Sequence, residues 1–358
     1  MMQRVIDNLI IGQGLAGSLL CWRLMARGES VLVVDNDYAS SSSTVAAGLI
    51  NPVTGKRLVK TVGVDACLPL ARESYHALEN KLGIALLVDK PMLRLFHSQQ
   101  ERDRWQQRLQ EPGYQAYLGE VVEASQLPAP IYASHGGGRQ LQTAYLRTEP
   151  LLHGLRDWLQ QQGSYCQAQF DYTALQMEGE SVVWRDVHAR RVIFCEGYKG
   201  AQNPWFGWLP FQPAKGEFLT LRSSEALPDL IINSGRWIMP RDDGLYRAGA
   251  SYDHQQLDEN TTTEAREMLL AALPTFLAAA PEFEVVAQQA GVRPTTSDRQ
   301  PFIGFHPRYP QMSIFNGFGS KGSLLIPWHV ERFVERLLDD APLPSTIDVA
   351  RYQERCND

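Results

Sequence analysis

The chain predicts an α/β fold that opens with a Rossmann-type nucleotide-binding unit. Three observations carry this. A glycine-rich turn, GQGLAG, stands at 12–17 between an apolar strand pattern and a helical one. An acid, Asp35, closes the next apolar run 23 residues after Gly12. At 358 residues the chain is also too long for one ordinary core, which asks for about two domains.

Each element of the unit has a reason. DNLII (7–11) is the first strand, SLLCWRLMARG (18–28) is a helix stopped by Gly28, and VLVV (31–34) is a buried second strand. Gly12 makes the tight turn. Gly14, with Leu15 and Ala16, brings backbone N–H groups to a pyrophosphate at the helix N-terminus, and Gly17 lets helix and strand pack closely. Asp35, followed by Asn36, is placed to accept hydrogen bonds from a ribose. The fingerprint alone leaves NAD and FAD both open. The stretch ASSSSTVAAGLINP (39–52) is small, hydroxyl-rich and almost uncharged, as a loop beneath a bound cofactor must be; a flexible serine linker is the plainer alternative.

Composition bounds the rest. With 44% hydrophobic and 21% charged residues the chain reads as soluble and globular, and a net charge of −6 does not favour a hold on nucleic acid. Five cysteines without a CxxC pair, and eight histidines without ligand or triad spacing, suggest reduced thiols and no metal site. The first apolar run is short and broken by glycines, so neither a signal peptide nor a membrane span is expected, and a cytoplasmic enzyme is.

Further along, MLRLFHS (92–98) alternates as a strand, QERDRWQQRLQ (100–110) reads as an exposed helix and HGGGRQLQ (135–142) as a loop. TEPLLHGLRDWLQQQG (148–163) reads as a helix with Thr148 as N-cap and Gly163 as stop. WIMP and LYRAGAS flank RDDG as a hairpin, with Arg247, Gly249 and Ser251 on one face.

Five segments together resemble the D-amino-acid oxidase or glycine oxidase superfamily of FAD-dependent oxidoreductases. They are GQGLAG with Asp35; STVAAGLI (43–50); RRVIFCEG (190–197); PAKGEFLTL (213–221) with the WIMP hairpin; and GVRPTTSDRQPFIG (291–304) with NGFGSKGSLLIP (316–327). The resemblance spans nearly the whole chain, with 81–144 the least recognisable part. It also covers the oxidase module of the bifunctional enzyme that modifies the tRNA wobble uridine.

The resemblance implies a glutathione-reductase-like FAD-binding domain built from 1–80, 145–205 and 288–358, and a mixed-sheet α+β substrate domain built from 81–144 and 206–287. FAD, held without a covalent bond because Gly291 stands where covalent members have a cysteine, would meet Ser43, Ala46, Ala47, Gly48, Gly197, Gly317, Gly319, Ser320, Lys321, Gly322 and Ser323. A helix opened by Pro327 would offer its N-terminal partial charge to the flavin, and Lys321 would add a full charge or else face solvent. Trp237 and Tyr252 would lie near the substrate, and His254 close by. Arg293 would bind a substrate carboxylate through a two-pronged contact, against the alternative of a salt bridge to Asp298.

Arg247 reads more readily as a solvated strand charge than as a group that helps oxygen take electrons, and Lys56, Arg57 and Lys60 read as a solvated basic loop or an attractor of anions. The implied reaction oxidises the C–N bond of a small amine or amino acid bearing a carboxylate, by hydride transfer to flavin N5 and hydrolysis of the imine. Positioning is then the protein's main task, and oxygen or another acceptor reoxidises the flavin. The alternatives are a carboxymethylamine-cleaving tRNA oxidase, an NAD-dependent dehydrogenase and a non-catalytic flavin-binding module.

Overall fold

A computed structural model describes residues 4–37, 41–278 and 281–357, so Ala39 and Ser40 of the serine-rich stretch lie outside the described residues. The N-terminal strand, Arg4–Ile11, is flanked in parallel by Val31–Asp35 and Val187–Phe194. Tyr165–Gln167 extends this sheet on one side, and on the other Met312–Asn316 pairs in parallel with the last residues of Val187–Phe194, Val192 opposite Met312. The stretches Leu9–Ile11, Val31–Val34, Val192–Phe194 and Met312–Asn316 are buried on both faces, as strands covered on either side must be. The helices Leu15–Ala26 and Gly322–Asp339 pack together on one side, with Val64–Leu82 against the second of them.

A second sheet lies beside the first. Its order is Phe283–Arg293, Ala214–Ser223, Tyr246–Gly249, Arg236–Pro240, Ile231–Ser234, Met92–Leu95, Gly137–Gln140 and Leu118–Val122, antiparallel except where Ile231–Ser234 meets Met92–Leu95. The Asp-Gly turn closes the expected hairpin, with Trp237 opposite Gly249 and Pro240 opposite Tyr246. Phe283–Arg293 spans the expected domain boundary at 288 without a break and leads from this sheet towards the first. Along the second sheet alternate residues split cleanly. Leu93, Leu219, Ile232, Ile238 and Ala248 form an apolar core on one face, while Met92, Phe218, Asn233, Trp237 and Gly249 look the other way, towards the first sheet.

Three local expectations need correction. Residues 137–140, expected in a loop, form a strand, because glycine at 138 lets the Trp105 ring lie against the backbone; a Cβ there would sit 2.3 Å from the ring. Trp105 thereby becomes fully buried on a helix expected to be exposed. Thr148 is not the N-cap of Thr148–Gln161 but its first residue, and its hydroxyl donates instead to the Ala46 carbonyl at 3.3 Å.

The last long helix does not open at Pro327. It begins at Gly322 and contains the proline. Pro327 has no N–H for the Ser323 carbonyl, and the buried Tyr75 hydroxyl donates to that carbonyl at 2.7 Å in its place. The helix can therefore run on to Gly322 and place its N-terminus in the cavity described below. Among the described residues no helix is long and apolar enough to cross a membrane.

Two stability predictions follow from this helix. Tyr75→Phe leaves the Ser323 carbonyl buried and unpaired, and is expected to cost about 1 to 3 kcal/mol in urea unfolding with an unchanged denaturant slope. His329 is buried, with Nδ1 2.7 Å from the Leu325 carbonyl, and burial pushes its pKa down to about 4 from the usual 6.5. The unfolded chain gains this proton as pH falls below 6.5 and the folded chain does not until about 4. Folding stability should therefore drop across that window by up to about 1.4 kcal/mol per pH unit, a slope that thermal melts of His329→Leu should lack.

Candidate active site

A cavity of about 560 Å³ runs between the two sheets, from the glycine-rich turn to the inner face of the second sheet. At its first end the turn is held by close backbone contacts. Gly12 has φ +103°, and a Cβ on Gly17 would lie 2.0 Å from the Gly12 carbonyl oxygen, so neither position accepts a side chain. Gly17 packs the helix on the turn and is not part of the cavity wall. Asp35 lines the cavity and accepts from the Gln13 amide at 2.8 Å and the Asp37 amide at 2.8 Å. Ser43 accepts from the Leu15 amide at 3.0 Å, while the Gly14 and Ala16 amides have no acceptor among the described residues. Those unmatched donors at a helix N-terminus make an anion site.

Several residues here lie outside the positions that the sequence nominates. Arg156, on the helix Thr148–Gln161, donates to Gln13 Oε1 at 2.7 Å and pairs with Asp37. Phe170 and Tyr172 add an aromatic wall. Glu196 lines the cavity beside Gly197, and burial raises its pKa although Tyr172 and Asn203 both donate to it. Each comes from a segment remote from the fingerprint, so only folding places it there.

The middle of the cavity is walled by Ser41–Leu49. A Cβ on Gly48, whose φ is +70°, would lie 1.9 Å from the Leu146 carbonyl oxygen, so the loop can pass the strand Ala144–Leu146 only with glycine there. Opposite, Gly319, Ser320, Lys321, Gly322 and Ser323 bring the N-terminus of Gly322–Asp339 to the cavity. Gly317 stands behind them, with φ +86°, against Thr296. Lys321 does not face solvent: its ammonium donates to Thr61 Oγ1 at 3.0 Å, and burial lowers its pKa.

At the far end the second sheet presents Phe218, Asn233, Trp237, Ala250 and Arg293 to the cavity, with Asn51 and Met92 beside them. The Arg293 guanidinium meets three neutral groups. Nη1 donates to the Lys215 carbonyl at 3.2 Å, both terminal nitrogens lie 3.4 Å from the Ser251 carbonyl, and the Tyr252 ring stacks 4.9 Å away. Burial lowers its pKa, and no carboxylate pairs with it among the described residues. Asp298 is bound to Arg351 instead, at 2.9 Å. Tyr252 is outside the cavity wall and 55% exposed, so it backs Arg293 rather than facing the interior. His254 packs edge-on against Tyr252 and reaches the Pro213 carbonyl at 3.2 Å, also outside the wall.

Arg247 is not a solvated strand charge. It is drawn into the protein, donates to the Ala46 carbonyl at 3.0 Å and lies over the Phe218 ring, with its Nε unpartnered; burial pushes its pKa down to about 10. In the basic hairpin, Lys60 is engaged with Asp65 at 2.8 Å and cannot serve an anion freely, whereas Lys56 and Arg57 are exposed.

Residues 7–336 match the model of a family described as FAD dependent oxidoreductase. The chain belongs to this family. It is similar to glycine oxidase from Pseudomonas aeruginosa, 24% identical, with 98% of each chain covered. It is also similar to the bifunctional protein MnmC of tRNA 5-methylaminomethyl-2-thiouridine biosynthesis from Caulobacter vibrioides, 26% identical over 96% of this chain but only 56% of that one. Its fold matches the glycine oxidase structure from Geobacillus kaustophilus with a TM-score of 0.81 at 19% identity, covering 98% of each chain.

The enzyme's cofactor is therefore FAD, and the cavity fits it. Gly12, Gly14 and Gly48 are positions where a Cβ would collide with backbone or crowd the wall, and unmatched amides await an anion. Replacing Asp35 by alanine removes the acceptor of the Gln13 and Asp37 amides and a carboxylate from the cavity wall. The variant is expected to hold FAD about tenfold or more weakly, measured by release of flavin fluorescence on dilution.

Proposed function

We propose that this FAD-dependent oxidoreductase oxidises the C–N bond of a small amino acid or secondary amine, and that Arg293 binds the carboxylate of that substrate. One observation carries the reading. A cation removed from water, lining a cavity and contacted only by carbonyl oxygens and a ring, lacks the charge that would neutralise it. A carboxylate would supply that charge, and the planar guanidinium can meet it with two parallel hydrogen bonds. The likeness to glycine oxidases supports the substrate class.

FAD, when bound, takes up the hydrogen and two electrons removed from the carbon next to the amine nitrogen. The chain's own residues do the rest. Asp35 and the amides of Gly14 and Ala16 would hold the nucleotide, and Gly319–Ser323 with Lys321 would supply positive charge where negative charge develops. Phe218, Trp237 and Met92 make the substrate end apolar and keep water out, which strengthens the contact to Arg293. Among the described residues no imidazole lines the cavity, and its carboxylates, Asp35, Glu196 and Glu259, are not paired with Arg293, which suits an amine that arrives neutral and asks for orientation.

A second reading, an amine carried on RNA, has one observation in its favour. Arg104 and Arg108 bond the carbonyls of Lys56 and Arg57, gathering four basic residues at the tip of a hairpin whose Thr54 lines the cavity.

Anaerobic titration of the yellow enzyme with glycine, sarcosine, proline and D-amino acids should bleach the flavin for at least one of them. Arg293→Ala should weaken the response by about 2 to 4 kcal/mol. Gly216→Ala, whose Cβ would fall 1.8 Å from Arg293 Nη2, should act in the same direction by displacing the guanidinium. An Arg293→Ala enzyme bleached as readily as wild type would refute the carboxylate assignment; preference for an amine-bearing oligonucleotide over every free amino acid would favour RNA.

A further inference from the structure

Strand Ala214–Ser223 carries two buried charged side chains that the proposed chemistry does not use. Gly216 and Phe218 face the cavity, so Lys215 and Glu217 point to the opposite face, where they are 1% and 2% exposed. Lys215 Nζ lies 2.6 Å from Asp258 Oδ1 and 3.9 Å from Glu217 Oε1. Glu217 also accepts from the Thr262 amide at 2.9 Å, the Thr262 hydroxyl at 2.8 Å and Gln288 Nε2 at 2.7 Å.

The same two residues hold the chain segment Ser251–Asp253 through their backbones. Lys215 and Asp253 exchange N–H to carbonyl bonds at 2.8 and 3.0 Å, the Ser251 amide donates to the Glu217 carbonyl at 2.9 Å, and the Glu217 amide donates to Ser251 Oγ at 2.8 Å. Both carbonyls that receive the Arg293 guanidinium, those of Lys215 and Ser251, therefore belong to this clasp. Tyr252, which stacks on the guanidinium, lies between the two clasped residues.

We propose that Lys215, Glu217 and Asp258 are positioning residues for Arg293: a charged clasp, buried at Lys215 and Glu217 and half-exposed at Asp258, that ties the segment 251–262 to the sheet and thereby sets where the substrate carboxylate is held. This rests on the reading of Arg293 as the carboxylate anchor. Burying the Lys215 ammonium and the Glu217 carboxylate contributes little net stability compared with apolar residues of the same size, so stability alone is a weak reason for their presence. Fixed direction is a stronger one. Lys215 ties Asp258 to the strand and Glu217 ties Thr262, and a guanidinium held by two carbonyls and one ring has no ionic contact of its own to define its place.

The test uses the FAD-loaded enzyme and two non-reducible probes, benzoate and the uncharged benzamide, with binding read from the perturbed flavin spectrum. Asp258→Asn and Glu217→Gln keep shape while removing charge, and Lys215→Met is the third variant. In Asp258→Asn and Glu217→Gln, benzoate should bind about tenfold more weakly and benzamide within about twofold of wild type. Adding Asp258→Asn to Arg293→Met should then change benzoate binding no further, because the clasp acts through Arg293. Benzoate binding unchanged in both charge variants, while Arg293→Met loses it, would overturn the clasp and leave the Arg293 reading standing. Equal weakening of both probes would also overturn it, by showing general damage. Wild-type enzyme that fails to distinguish benzoate from benzamide would instead sink the Arg293 reading itself.

Discussion

A guanidinium taken out of water without an opposing charge is the constraint around which the site is organised. Its desolvation is offset in part by two backbone carbonyls and one aromatic face, all neutral, so positive potential is left in a cavity with apolar walls. The rest of the site is consistent with protecting that potential. The acid nearest in sequence is occupied by Arg351, Lys215 and Glu217 on the neighbouring strand point to the far face of the sheet, and the cavity face of that strand offers Gly216 and Phe218.

Space for a large cofactor comes from a different rule, the close approach of backbones. Gly12 against Cys195, Gly17 against Gly12 and Gly48 against Leu146 are contacts that no Cβ survives. They draw the turn, helix and loop into one wall without side chains filling the space. On the opposite side the Tyr75 hydroxyl relieves the defect that Pro327 creates, and the helix it allows supplies the other wall. Both walls then present backbone amides, which suit phosphate oxygens and a ring edge alike.

Much of the fold was legible. The parallel strands around Arg4–Ile11 follow from apolar runs, the hairpin from its Asp-Gly turn, and the order of the family's segments from end to end of the chain. The misreadings share one cause. HGGGRQLQ looked like a loop because glycines usually punctuate chains, and the Trp105 ring that makes them useful is more than thirty residues away. Pro327 looked like a helix start because the hydroxyl that lets the helix precede it belongs to Tyr75. Arg247 and Lys321 looked able to face water, and the groups that hold them inside, the Ala46 carbonyl and Thr61, are equally remote.

The resemblance of its segment to the family named Arg293, whereas the sequence by itself determined where most of the chain turns, which runs are strands or helices, and that a dinucleotide cofactor is held. These properties depend on sterics and hydrophobic period over a few residues, which are written locally. Only the tertiary structure decided which charges are matched. Asp298 to Arg351, Lys321 to Thr61 and Lys215 to Asp258 are pairings across 43 to 260 positions of chain, and each subtracts a group from the candidates that could meet a ligand. Arg293 emerges because folding gave Asp298, Glu217 and Asp258 other partners, and an unmet charge can be recognised only after others are paired.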